Sequence, residues 1–181
     1  MVKKEQLKII SKIAGKISDL NYAFIGSINF ALQGISIDPR DIGILLDAKS
    51  FNQFDKRFDR FRTKEKYYDE SEARNSWRAF YQIDEVEIEI LQNVDNFCRP
   101  KDELAKKLKI NFDGTEINCS SLKSELSAYQ KMGRYGKVKL IKEFLEKIMK
   151  KILPIIHVVI LFTALICPFG ANCWGYYSVG V

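Results

Sequence analysis

Between Phe24 and Asp47 the chain reads FIGSINFALQGISIDPRDIGILLD, and few folds accommodate that order. NYAFIG is a short apolar run that reads as a buried strand ending at Gly26. Ser27, a residue type that caps helices well, opens SINFALQG, which reads as a short helix closing at Gly34. SIDPR is a loop. DIGILLD then reads as a second strand, with Ile42 and Ile44 on one face and Asp41 and Gly43 on the other, because strand side chains alternate.

The neighbouring segments supply partners for these two strands. Leu7, Ile10, Ile13 and Ile17 recur at helical spacing and predict a first amphipathic helix over Lys4 to Asp19. Phe51, Phe54, Phe58 and Phe61 form a second helical stripe, which reads as a core face rather than a binding platform. SWRAFYQI and EVEIEIL, separated by Asp84-Glu85, read as a hairpin. In its second strand Val86, Ile88 and Ile90 face one way while Glu85, Glu87 and Glu89 face the other. KINF and TEIN flank Asp113-Gly114, a pair suited to a primed two-residue turn. SSLKSELSAYQKMGR and YGKVKLIKEFLEKIMKK read as two helices parted near Gly133 to Gly136.

With 181 residues, 46% of them hydrophobic and 12% aromatic, the chain is long and apolar enough for one packed domain plus an appendage. The net charge of +6 favours anionic partners, although lysines also make ordinary solubilising surface. The four cysteines form no C-x-x-C pair, and His157, the only histidine, lies in an apolar tail. Zinc chemistry and Ser-His or Cys-His catalysis are therefore set aside. MVKKEQLKII is not a signal peptide, so the body is expected to be cytoplasmic with reduced thiols.

Nucleotidyl transfer requires metal-held carboxylates, since charge builds on phosphate oxygens. Gly26-Ser27 supplies a turn that could hold phosphates, Asp41 an acid on one strand, and Glu89 or Glu87 an acid from a later strand. With IGS, a spacer, and then DIGI, the sequence resembles the nucleotidyltransferase superfamily to which DNA polymerase beta belongs, and more closely its small prokaryotic members. The likeness covers roughly Leu7 to Ile148. It implies an α/β (α+β mixed) domain over residues 1–151, a nucleotidyltransferase-like mixed β-sheet flanked by helices. It also implies Mg²⁺-dependent attack of an acceptor hydroxyl on the α-phosphate of an NTP, the acceptor being RNA, protein or a small molecule.

Carried over position by position, the resemblance gives Gly26 and Ser27 the triphosphate and assigns metal and catalysis to Asp41 and Glu89. It turns Tyr129, Arg134 and Lys137 of the closing helices toward the phosphates. The ordinary alternatives are a strand-initiating acid at Asp41, a solvated acidic face at Glu85, Glu87 and Glu89, and helix-end cations at Arg134 and Lys137. The departure from the family pattern is Gly43, where a second carboxylate usually stands. Its loss removes a bridging ligand of a two-ion Mg²⁺ site, a change worth about 10²–10³ in rate. Asp47 keeps the same facing but lies roughly 13 Å along the strand, too far to replace it. The alternative function is a catalytically inactive nucleotide- or partner-binding module, and a third is a general nucleic-acid binder.

No Lys, Arg, Asp or Glu occurs after Lys151. Ile152 to Phe169 is an 18-residue apolar run that as a helix would extend ~27 Å, which predicts a membrane-spanning helix that anchors the apolar tail, residues 152–181, the ordinary alternative being a buried C-terminal helix. Lys147, Lys150 and Lys151 precede it, and Trp174, Tyr176 and Tyr177 would fit an interfacial belt. MKKILPIIHVVILFTALICPFGA, from Met149, also has the form of a secretory signal sequence. The tail then reads as a fused unrelated frame, and with Gly43 as a mark of a decaying gene.

Overall fold

The computed structural model describes residues 3–71, 75–94 and 98–166, and for 153–166 the backbone alone. The chain divides into two compact units, Met1–Lys142 and Glu143–Val181.

The first unit is built on one seven-stranded mixed sheet of β1 (Tyr22–Ile25), β2 (Ile42–Leu46), β3 (Arg62–Asp69), β4 (Ser76–Ile83), β5 (Val86–Gln92), β6 (Leu108–Phe112) and β7 (Thr115–Cys119), in the order β3-β4-β5-β2-β1-β7-β6. The central strands β1 and β2 pair antiparallel, while β2 with β5 and β1 with β7 pair parallel. All four residues of β1 and all five of β2 are buried, as expected for strands covered on both faces.

One face of the sheet carries the core. Ile9, Ile10 and Ile13 of α1 (Lys4–Lys16) and Phe51, Phe54 and Phe58 of α3 (Ala48–Phe58) pack with Phe24, Ile44, Ile88 and Ile90. The phenylalanine stripe is a core face, with Phe54 stacked on Phe58 at 4.4 Å and edge-on to Tyr81 at 5.3 Å. The opposite face has only a small apolar patch, Ala23, Ile25, Leu45 and Leu104 with Leu91 against it. That face is left to the site.

Local chemistry explains the connections. Asp113 and Gly114 both take positive φ, 49° and 74°, which is the backbone of a primed hairpin turn between β6 and β7. Asp47 does not extend β2. It caps α3, its Oδ1 accepting the Ser50 N–H at 2.7 Å. Helix α2 (Gly26–Leu32) includes Gly26 and has no side-chain cap, so Ser27 sits in its first turn and not at its N-cap. β3 lies in a segment for which the sequence predicts no strand. RTKEKYYD is a charged, mostly exposed edge strand, and such strands lack the apolar alternation that announces a half-buried one.

The C-terminal expectation is overturned. No separate apolar helix begins near Ile152; a single helix, α5 (Tyr135–Ile166), runs from the closing segment into the apolar stretch. Its first part is charged and mostly exposed. The uncharged part within it, 152–166, extends about 22 Å at helical rise, against a hydrocarbon core of about 30 Å. Among the described residues no helix is long and apolar enough to cross a membrane. The transmembrane helix, the membrane contact through the tail and the tail-anchored location are all corrected on this ground. Trp174, Tyr176, Tyr177 and the end of the signal-like stretch lie outside the described residues.

Candidate functional site

The site face is ordered by strand register. Gly43 pairs with Ile25 on one side and with Glu89 on the other, and Glu89 pairs in turn with Phe80 of β4. Strand spacing puts Gly43 and Glu89 only about 4.8 Å apart, backbone to backbone. One step along, Leu45, Leu91 and Arg78 form the next row. Arg78 lies diagonally across from Glu89 and reaches it, Nη1 to Oε1 at 2.9 Å. Its Nε lies 3.2 Å from Asp69 Oδ2.

Position 43 is closed as well as acid-free. A Cβ built there would lie 3.1 Å from the Ile25 carbonyl oxygen and 3.2 Å from Ile25 Cγ1. Both distances are inside ordinary van der Waals contact.

At the start of β2 the lining turns cationic. Lys137 Nζ donates to Ser27 Oγ at 2.8 Å. The Arg134 guanidinium carbon lies 5.8 Å from the Tyr129 ring centroid, and that ring packs on Phe30 at 5.5 Å. Burial depresses the Lys137 pKa, and repulsion from Arg134 and Arg40 adds to the effect, while Asp41 partly offsets it. Burial, with the Glu125 carboxylate, pushes the Tyr129 phenol up to about 12, so it stays protonated and able to donate at neutral pH.

Gly26 has φ +75°, in the left-handed region that glycine adopts without cost. Its N–H is not directed at open space; it donates to Glu125 Oε1 at 3.1 Å. Glu125 is fully buried in α4 (Leu122–Lys131), and its Oε2 accepts from Arg99 Nη2 at 2.9 Å. Arg99 Nη1 meets Glu103 Oε1 at 3.2 Å, and Glu103 Oε1 also accepts from Ser120 Oγ at 2.7 Å. Gly26 is thus placed to shape the turn, while Ser27, Tyr129, Arg134 and Lys137 present the polar groups.

All seven residues that the resemblance singles out, Gly26, Ser27, Asp41, Glu89, Tyr129, Arg134 and Lys137, line one cavity of about 310 Å³, together with Gly43. No family model and no curated protein sequence matches the chain. Solved structures do. A Thermotoga maritima protein assigned as a nucleotidyltransferase superposes with a TM-score of 0.67 at 26% identity, over 81% of this chain and 96% of that one. A lincosamide antibiotic adenylyltransferase solved with lincomycin bound superposes with a TM-score of 0.52 at 15% identity, over 78% and 97%. The fold is that of the nucleotidyltransferase superfamily.

In that superfamily the resemblance implies Mg²⁺ held by strand carboxylates, and the described residues of this nucleotidyltransferase-fold chain do not make up such a donor set. Gly43 offers no ligand atom, and Glu89 Oε1 is held by a guanidinium. Among the described residues no group of three or more His, Cys, Asp or Glu could hold a metal ion. Glu87, a conceivable substitute, is exposed.

Sequence reasoning missed Arg78, Arg40, Arg99, Asn93 and Glu125. Arg78 had a signal, since alternation along SWRAFYQI puts it on one face with Phe80. Glu125 had one too, four residues before Tyr129 and so on the same helical face. Arg99 and Asn93 lie outside regular elements and carried none.

Proposed function

We propose that this chain is a nucleotide-binding member of the nucleotidyltransferase superfamily that grips a phosphate chain with side-chain cations and does not carry out metal-dependent transfer. The carrying observation is the Lys137–Ser27 contact, in a cavity also lined by Arg134 and the protonated Tyr129. Lys137 and Arg134 line the cavity with Asp41, and the exposed Arg40 adds to the repulsion on Lys137, which leaves an electrostatic demand that an anion satisfies. Asp41 acts here as a partial counter-ion to Lys137. Glu89 is the partner of Arg78, and the missing acid at Gly43 leaves no pair of carboxylates on β2.

The test is titration with ATP and GTP, once in EDTA and once in excess Mg²⁺. Affinity is expected to be the same in both within about twofold, and Lys137→Ala to weaken it by about tenfold or more, as for a lost charge-assisted hydrogen bond. Labelled NTPs with Mg²⁺ and RNA, protein or small-molecule acceptors should give no transfer. Transfer by the native chain that Asp41→Ala abolishes would overturn the proposal.

A further inference from the structure

Helix α1 turns a face of one charge sign to the solvent. Lys4, Lys8, Lys12 and Lys16 recur four residues apart and form one slowly winding stripe, and all four are exposed. The stripe is about 18 Å long, with about 6 Å between successive lysines. The other side of the same helix, Ile9, Ile10 and Ile13, packs with Ile44, Ile88 and Ile90. Those residues point away from the sheet face that carries Gly43 and Glu89, so the stripe and the cavity lie on opposite faces of the sheet.

The chain itself does not balance this charge. Glu5 is the only acid of α1, and among the described residues none of the four lysines has an ion-pair partner. Asp19, the next acid along the chain, is taken at both carboxylate oxygens by Arg57, each at 2.6 Å. Like charges at four-residue spacing weaken a helix, and Lys4 in the first turn also opposes the helix dipole. Gly15 adds to the cost. A Cβ there would meet nothing within 4 Å, so internal packing does not call for glycine, yet a helical glycine destabilises relative to alanine. Gly15 and Ser11 lie on the outer face with the lysines, where their small size lets a partner come close to the helix backbone.

The make-up of the face selects the partner. A protein interface is built around an apolar or aromatic centre, and none of the exposed large apolar side chains among the described residues belongs to α1. A single nucleic-acid strand is held on aromatic stacking platforms, which this face also lacks. A row of ammonium groups suits sequence-independent contact with a phosphate backbone, and about 18 Å of duplex DNA carries about five phosphates on each strand. We propose that the outer face of α1 binds the phosphate backbone of duplex DNA, without reading bases and without use of the cavity. The nucleotide-binding reading shares no side chain with this surface, so either can fail without the other.

Fluorescence anisotropy of a labelled duplex of about 20 base pairs, titrated with the full chain in EDTA, tests the proposal. Four phosphate contacts predict a log–log salt slope of about −3.6, or about a hundredfold loss of affinity between about 50 and 200 mM NaCl. Lys8→Gln combined with Lys12→Gln, which keeps helix propensity, should reduce the slope by about 1.8. Lys142→Gln combined with Lys147→Gln removes the same charge from exposed positions of α5 and should leave the slope unchanged. Equal losses in the two double variants would assign binding to net charge and overturn the proposal. So would a slope that Lys8→Gln with Lys12→Gln does not alter, or no binding of the duplex at about 50 mM NaCl. Poly-glutamate or a single strand that displaces the duplex as well, charge for charge, as unlabelled duplex does would overturn it too.

Discussion

Restoring an acid at position 43 probes both halves of the site argument. In Gly43→Ala the added Cβ lies 3.1 Å from the Ile25 carbonyl oxygen and 3.2 Å from Ile25 Cγ1, so the neighbour must move by a few tenths of an ångström. Overpacking of this kind costs about 1–3 kcal/mol, offset by about 0.4–1 kcal/mol because alanine restricts the unfolded chain more than glycine does. A net loss of about 1 kcal/mol is expected. Gly43→Asp adds a buried carboxylate one strand from Glu89, and the loss should reach about 3 kcal/mol at neutral pH. Urea unfolding with and without Mg²⁺ then separates the terms. If the introduced carboxylate joins Asp41 and Glu89 around an ion, Mg²⁺ at 100 times its dissociation constant returns about 2.7 kcal/mol to Gly43→Asp. The native chain should gain nothing. Gly43→Ala as stable as the native chain would refute the closed-position argument. A Mg²⁺ gain in the native chain equal to that of Gly43→Asp would refute the claim that the native donor set does not fit a metal.

Two further outcomes depend on pH. Burial pushes the Asp47 carboxyl up, but the Ser50 N–H, the Asn21 amide and Lys107 outweigh it and hold the pKa below the ordinary value. Asp47→Ala should therefore cost about 1–2 kcal/mol at pH 7, and the cost should disappear in urea titrations as pH falls through that depressed value. Lys137 has the opposite sign: its pKa is depressed, so its charged form costs the fold stability at neutral pH, a cost relieved as pH rises toward the ordinary lysine value of 10.5. The proposed phosphate grip uses the charged form, so ATP titrations should show affinity falling over the same alkaline interval in the native chain and staying flat in Lys137→Ala.

The parts of the fold legible in the sequence are those in which one residue type does one job. Apolar alternation announced β2 and β5, helical spacing announced the phenylalanine face of α3, and Asp113-Gly114 announced its turn. The candidate residues gathered into one cavity because Gly43 and Glu89 sit on neighbouring strands, a placement that an acid strand and an acidic hairpin already encode. β3 was not legible, since its order comes from tertiary ties such as Arg62 to Asp55 at 2.6 Å and Tyr67 against Phe80. The apolar tail was misread because hydropathy gives the length of an apolar run but not where its helix begins. The Gly26–Glu125 bond joins residues 99 apart, and no local pattern carries it.

That bond ties the start of the Gly-Ser turn to position 43. The Ile25 carbonyl and the Gly26 N–H belong to one rigid peptide plane. Its N–H is held by Glu125, and its carbonyl oxygen lies where a side chain at position 43 would press. The plane is therefore fixed from both sides, and a side chain at 43 must displace the peptide that starts the Gly-Ser turn. Glu125→Gln keeps an oxygen for Gly26 but gives up charge against Arg99, which loosens the plane. Gly43→Ala should then cost less in a Glu125→Gln background than in the native chain, with a coupling of at least about 0.5 kcal/mol in a double-mutant cycle read by urea unfolding. Strict additivity would mean that the turn and position 43 are independent. The emptiness of position 43 would then owe nothing to the geometry of the Gly-Ser turn.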